Sequence, residues 1–185
     1  MELILWRHAD AEEGVPDLTR RLTTKGDRQA KRMARWLRAQ LPKDARILVS
    51  PATRTRQTAD ALHMTYEVRE ELAPGCSAQQ LLAAAGWPAG NGVIVLVGHN
   101  PAISDLAILL LAGRSVPVTM RKGAAWWFSN RTRVGEAPVL LKAVMTPSML
   151  KKTPNTTPEV ASAAVIVGEP GAIPTRKNAP YTFPR

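Results

Sequence analysis

Two of the three histidines in this 185-residue chain stand just past apolar runs. Leu3-Ile4-Leu5-Trp6 leads into Arg7-His8, and Val93-Ile94-Val95-Leu96-Val97 leads into Gly98-His99-Asn100-Pro101. A third run, Ile47-Leu48-Val49, ends in Ser50-Pro51-Ala52-Thr53-Arg54. A guanidinium fork can grip a phosphoryl group through parallel N–H bonds, so Arg7 and Arg54 suit a pair of clamps. A neutral imidazole attacks phosphorus when its other nitrogen is held by a carbonyl, and His8 is placed for that part. A cationic His99 would steady the equatorial oxygens of the group in transfer. Asn100-Pro101 has the sequence of a helix start, with Asn as cap and Pro in the first turn, which would turn the positive helix end toward the same anion. A single histidine near a strand end is more often structural than catalytic. The conjunction of three exits carries the reading, whereas His63 falls inside a predicted helix and is read as structural.

For these residues to meet, the runs must be neighbouring strands of one sheet. Continuous apolar runs without polar alternation are the mark of strands covered on both faces. The periodicity predicts a strand at 2–6, a helix at 25–41, a strand at 47–49, a helix at 53–64 and an extended piece at 66–68. A short helix at 77–85, stopped by Gly86 and Pro88, precedes the strand at 93–97 and a helix at 101–112. Two closing strands at 124–129 and 139–145 have no long helix between them and read as an antiparallel hairpin. The expected architecture is a three-layer α/β/α sandwich with a mostly parallel central sheet, and ligands in such sheets bind beyond the carboxyl ends of the strands. Seven of the fifteen prolines follow Thr146. The chain is therefore read as one domain over 1–150 and an extended or disordered basic tail over 151–185. The apolar segment 160–167 is the exception within that tail.

Composition narrows the alternatives. An apolar content of 45% supports a single core. The four apolar residues near the N-terminus are too few for a signal-peptide core, and no later segment approaches a membrane span, so the expected compartment is the cytoplasm. One cysteine, Cys76, agrees with a reducing environment. A formal charge of +10 fits nucleic acid, an acidic membrane surface or a phosphorylated substrate. Many of the cations, Arg28, Lys31, Arg32, Arg35 and Arg38, share a helix with the apolar series Ala30, Met33, Ala34, Leu37 and Leu41. They read as its solvated face, without the series of aromatic residues that stacks bases, and neither nucleic acid nor membrane is expected as a partner. No Walker pattern and no strand-linked GxGxxG is present, so a glycine loop cradling a nucleotide is unsupported. Leu82 stands where a cysteine-based phosphatase loop starting at Cys76 would need arginine. The histidines and the cysteine lack metal-ligand spacing, and no cofactor is expected.

These motifs as a set resemble the histidine phosphatase superfamily, of phosphoglycerate mutase-like fold, in its short SixA-type phosphohistidine phosphatase branch. The matching segments are Arg7-His8-Ala9-Asp10-Ala11, Arg20-Arg21-Leu22-Thr23-Thr24-Lys25-Gly26, Val49-Ser50-Pro51-Ala52-Thr53-Arg54-Thr55-Arg56-Gln57-Thr58-Ala59 and Gly98-His99-Asn100-Pro101. They run in order from residue 2 to about 149. Ala9 replaces the glycine that commonly follows the nucleophile, and Arg21 stands where relatives often have proline. The resemblance implies that His8 accepts the phosphoryl group, that Arg7, Arg54 and His99 form the pocket, and that Arg20 is a loop arginine near it. Glu71 occupies the segment where many members carry their acid. Phosphohistidine with its free ring nitrogen protonated expels a neutral imidazole, whose conjugate acid has a pKa of roughly 6.5, whereas an alkoxide needs strong assistance. A weakly equipped donor site therefore favours N–P substrates. The expectation is a metal-independent phosphatase acting on phosphohistidine in a protein partner. A phosphatase of small phosphate esters and a non-catalytic basic phosphate- or nucleic-acid-binding module are the alternatives.

Overall fold

In the computed structural model, which describes residues 1–114, 116–130 and 139–150, the first apolar run forms β1 (Glu2–Arg7) and the longest forms β4 (Val93–Gly98). Leu3 through Trp6 and Val95 through Val97 are fully buried, because these central strands are covered on both faces. β1 and β4 pair in parallel; β2 (Arg46–Val49) lies on the far side of β4, and β3 (Glu67–Val68) extends the sheet beyond it. β5 (Ala125–Asn130) runs antiparallel beside β1, and β6 (Val139–Met145) closes that edge, giving the order β3-β2-β4-β1-β5-β6.

Alternate side chains of each strand serve two separate cores. Leu3, Leu5, Leu48, Ile94, Leu96 and Phe128 pack against α3 (Ala78–Ala85) and α4 (Ala102–Ala112). Ile4, Trp6, Ile47, Val49, Val95 and Val97 pack against α1 (Thr24–Arg38) and α2 (Thr53–Asp60). This is the expected three-layer sandwich. Each such side chain contributes about 1.5–3 kcal/mol by leaving water. Trp6, the largest of them, also satisfies its indole by donating to the Gly123 carbonyl at 3.0 Å.

Two local devices hold α1 against the loop after β1. The Thr23 hydroxyl accepts from the Gly26 amide at 2.9 Å, capping the helix start. Gly26 lies so close to that loop that a Cβ there would stand 1.8 Å from the Asp10 carbonyl oxygen. Asp10 completes the junction, its amide accepted by Gln29 Oε1 at 2.9 Å and its carboxylate bound to Thr23 Oγ1 and Lys122 Nζ at 2.9 and 2.7 Å. On the outer side of α1, Arg28, Lys31, Arg35 and Arg38 are exposed, as a solvated basic face requires. Trp36 packs edge-on against Trp127, with ring centroids 6.2 Å apart.

α2 is shorter than its apolar pattern predicts. It ends at Asp60, and the bonds from Leu62 to Ala59 and from His63 to Asp60 are tighter i to i−3 turns. His63, expected within the helix, lies beyond it with a φ of 50°. Leu62 still reaches the core, so the periodicity registered its burial and mistook a turn for a further helical turn. At α4, Pro101 takes the cap position without a side-chain bond, while the Asn100 amide donates to the Met120 carbonyl at 3.2 Å and caps nothing. The tail read over 151–185, including 160–167, lies outside the described residues. Among the described residues no helix is long and apolar enough to cross a membrane.

Candidate active site

Strand register assembles the site. Arg7 pairs with Gly98 across β1 and β4, and Val49 pairs with Val97 across β2 and β4. The residues one step on, His8, His99 and Ser50, must therefore emerge side by side at the carboxyl edge. Backbone bonds fix them there: the His8 amide donates to Gly98 O at 3.0 Å, and the Ser50 amide to Val97 O at 3.1 Å. The two imidazoles face each other with centroids 5.2 Å apart and planes inclined by 54°.

Their hydrogen-bond partners decide their protonation. His8 Nδ1 lies 2.7 Å from the carbonyl oxygen of Ala9, which can only accept, so the proton sits on Nδ1 and the lone pair on Nε2. The Ala9 amide donates to Thr58 Oγ1 at 3.1 Å, which ties this residue to α2. His99 is the opposite tautomer. Arg54 Nη2, which can only donate, meets its Nδ1 at 3.2 Å, so Nε2 carries the proton and donates to Ser50 Oγ at 2.7 Å. Burial, reinforced by the neighbouring guanidiniums and opposed by the Ala9 bond, lowers His8 to about 4. Burial first, then the charges of His8 and Arg54, lowers His99 to about 3. Burial is thus the first cause that keeps His99 uncharged in this arrangement, and the cationic form that would steady equatorial oxygens requires a change in its surroundings, such as an incoming anion.

The arginines close the hollow. Arg7 Nη1 donates to the Met120 carbonyl, and burial lowers the guanidinium from its ordinary value. Arg54, only 3% exposed at its side chain, donates from Nη1 to the backbone oxygen of Asp17 at 2.6 Å and from Nη2 to its carboxylate at 2.8 Å. Arg20 reaches the same carboxylate from Nε at 3.0 Å and also bonds the Glu12 carbonyl at 2.9 Å; of the adjacent arginines it is this one, and Arg21 points to solvent. Three buried side-chain atoms lack a partner among the described residues, Arg7 Nε, Arg54 Nε and Asn100 Oδ1. All three belong to residues of this edge. Buried polar groups without a partner call for an explanation, and two of these are guanidinium N–H donors of the kind that bind oxyanions.

Among the described residues Glu71 has Arg69 as its partner. It lies in a 3-10 turn (Glu70–Leu72), where its carboxylate accepts from Arg69 Nη2 at 2.8 Å and is held below the usual carboxylate range by that bond. It is half exposed and anionic. Sequence reasoning assigned no role to Asp17, Ser50 or the Met120 carbonyl. Ser50 lies in the segment 49–59 that carries the resemblance, but nothing in spacing shows that it ties to residue 99, and a backbone carbonyl leaves no mark in a sequence.

The comparisons with known proteins agree with this geometry. Residues 3–74 match the model of the histidine phosphatase superfamily, branch 1. The phosphohistidine phosphatase SixA of Escherichia coli is 33% identical over 128 residues, which cover 64% of this chain and 79% of that protein. An uncharacterised protein of Mycobacterium tuberculosis is 35% identical over 126 residues, 62% of this chain and 77% of its own. Among solved structures, a SixA-type chain from Nakamurella multipartitia superposes with a TM-score of 0.65 at 31% identity, covering 79% of this chain and 95% of that one. The protein histidine phosphatase SixA complexed with tungstate gives a TM-score of 0.65 at 27% identity, covering 82% of this chain and 100% of that one. Paired strand exits and a matched relative together identify the chain: it belongs to the histidine phosphatase superfamily, in its SixA-type branch, and is a phosphatase.

Proposed function

We propose that this enzyme removes the phosphoryl group from phosphohistidine in a protein partner, through a covalent phosphohistidine on His8. One observation carries the reading. The Ala9 carbonyl holds Nδ1–H of His8 at 2.7 Å and so keeps the lone pair on Nε2, with the His99 ring centroid 5.2 Å away and the charges of Arg54 and Arg7 acting on the same imidazole. That lone pair attacks phosphorus as the substrate's P–N bond breaks and its electron pair returns to the departing imidazole, which leaves neutral if its other nitrogen is protonated. Water then attacks the phosphorus on His8, the new N–P bond breaks, its pair returns to Nε2 and the water proton passes to solvent. Arg7 and Arg54 hold the non-bridging oxygens. The negative charge of the incoming group opposes the influences that keep His99 neutral, so His99 can take a proton as the group arrives and bind a further oxygen. A related SixA holds tungstate, a tetrahedral oxyanion like phosphate, which supports the assignment of the hollow to a phosphoryl group.

The substrate class follows from the carboxylates. Glu71 is engaged with Arg69, and Asp17, which does reach the pocket, is held ionised by Arg54 and Arg20. Neither is a proton donor at neutral pH. An alkoxide leaving group would go unassisted while imidazole needs no such help, which favours N–P over O–P cleavage. The reading requires no metal, and a cytoplasmic location suits its single unpaired Cys76. The test is phosphate release from a histidine-phosphorylated protein beside alkyl phosphate esters under the same conditions. The phosphoramidate should be turned over at least about a hundredfold faster, and His8→Ala should lose roughly a thousandfold or more. Preference for esters would assign the site to small molecules. Undiminished turnover by His8→Ala would remove the covalent step.

A further inference from the structure

The carboxylate of Asp17 already occupies the groups that a phosphoryl group would need. It lies in a 3-10 turn (Asp17–Thr19) of the segment joining β1 to α1. Arg54 binds Asp17 in two places, but only Nη2 reaches the carboxylate, at Oδ2 and 2.8 Å, while Nη1 donates to the backbone oxygen at 2.6 Å. Arg20 binds Oδ1 through Nε at 3.0 Å and Nη2 at 2.8 Å. Forked approach of two guanidiniums to the oxygens of one anion is how arginines grip phosphate.

The partners differ sharply in burial. Arg54 is anchored in α2 and 3% exposed, whereas the Asp17 side chain is 51% exposed. Its segment also carries Val15 and Leu18, 97% and 49% exposed. The root of the segment is fixed by the bridge between Ala11 and Leu22 and by the Glu12 amide bonding Arg21 O at 2.9 Å. Residues 13–20 can therefore shift without unpairing β1 or unwinding α1. A buried guanidinium needs an anion. Here that anion belongs to the protein and is mounted on a surface turn.

We propose that Asp17 determines the affinity and selectivity of the pocket: it is an internal anion that holds Arg54 and Arg20 until a phosphoryl group takes them over. The proposal rests on the phosphatase reading above. Each binding event is an exchange, carboxylate out and phosphoryl oxygens in. A dianionic phosphoryl group wins that exchange because it brings more charge than it displaces, whereas a carboxylate on a partner's surface gains nothing by it. The same competition weakens the hold on product phosphate.

The deciding experiment compares inorganic phosphate binding to the full-length wild type and Asp17→Asn by calorimetry. Asn keeps the shape and an acceptor oxygen while removing the charge, so binding should tighten roughly three- to tenfold. Unchanged or weaker binding would overturn the proposal and make Asp17 a residue that merely positions Arg54. Crystals of the wild type with phosphate offer a second measurement that needs no variant. The Arg54 Nη2 to Asp17 Oδ2 separation should open beyond about 3.5 Å, and its retention with phosphate at His8 would overturn the exchange. Wild type that binds no phosphate between His8 and His99 would instead sink the phosphatase reading and this proposal with it.

Discussion

His8 and His99 are opposite tautomers because one faces an acceptor and the other a donor. The Ala9 carbonyl selects Nδ1–H on the first, and Arg54 Nη2 excludes a proton from Nδ1 of the second. Side-chain ¹⁵N spectra should therefore show His8 protonated on Nδ1 and His99 on Nε2, both uncharged from pH 7 down to about pH 5. A cationic ring at pH 7 on either would contradict the assignment. The same burial couples the site to stability. His8 and His99 fall from the ordinary 6.5 to about 4 and about 3, so between pH 6.5 and 4 the unfolded chain binds protons that the folded chain refuses. Their contribution is complete above about pH 7 and is lost as pH falls through that window. Urea unfolding should give a stability at pH 5 that is lower than at pH 7 by roughly 2–4 kcal/mol. Replacing both histidines with Gln should remove most of that slope.

At the scale of elements, register places the chemistry and one junction sets the entry to α1. β1 and β4 deliver their histidines to neighbouring positions because Arg7 pairs with Gly98, and a one-residue slip would turn each imidazole to the opposite face of the sheet. The junction is the contact of Gly26 with Asp10, where even a methyl group would overlap the carbonyl oxygen, at 1.8 Å. Gly26→Ala must displace either α1 or the loop that carries Ala9. It should destabilise the protein by about 3 kcal/mol or more in denaturant titration and depress activity beyond what its stability predicts. An unchanged melting temperature would show that the junction yields freely. Thr23→Ala, which removes the cap of the same helix, should cost about 1 kcal/mol and leave the site chemistry in place.

Among the described residues, those of both cores and of the site all precede 151. Leu150, the last described residue, packs against the core on the α1 side, so a cut just after it keeps that contact. Deleting 151–185 should leave the melting temperature within a few degrees and phosphate release within about twofold of the full chain. Loss of folding would show that the apolar stretch 160–167 belongs to the domain. The positive charge bears on partners in general terms. Arg28, Lys31, Arg35 and Arg38 spread it over the exposed side of α1, where Lys31 pairs with Asp27 at 2.8 Å.

The amino-acid sequence alone determined the sandwich, because runs such as Leu3–Trp6 and 93–97 are apolar without alternation and only a sheet covered on both faces can bury them. It also determined that Arg7, His8, Arg54 and His99 stand at strand exits, since an exit is a local property of the chain. Tertiary structure decided what depends on neighbours through space. It set the tautomer of His99, whose Nδ1 accepts from a guanidinium 45 residues away, and it paired Glu71 with Arg69. It also brought Asp17 to Arg54, 37 residues apart in the chain. Periodicity records whether a residue is buried, but protonation and pairing follow from which groups share its low-dielectric surroundings, and only the packed chain brings those groups together.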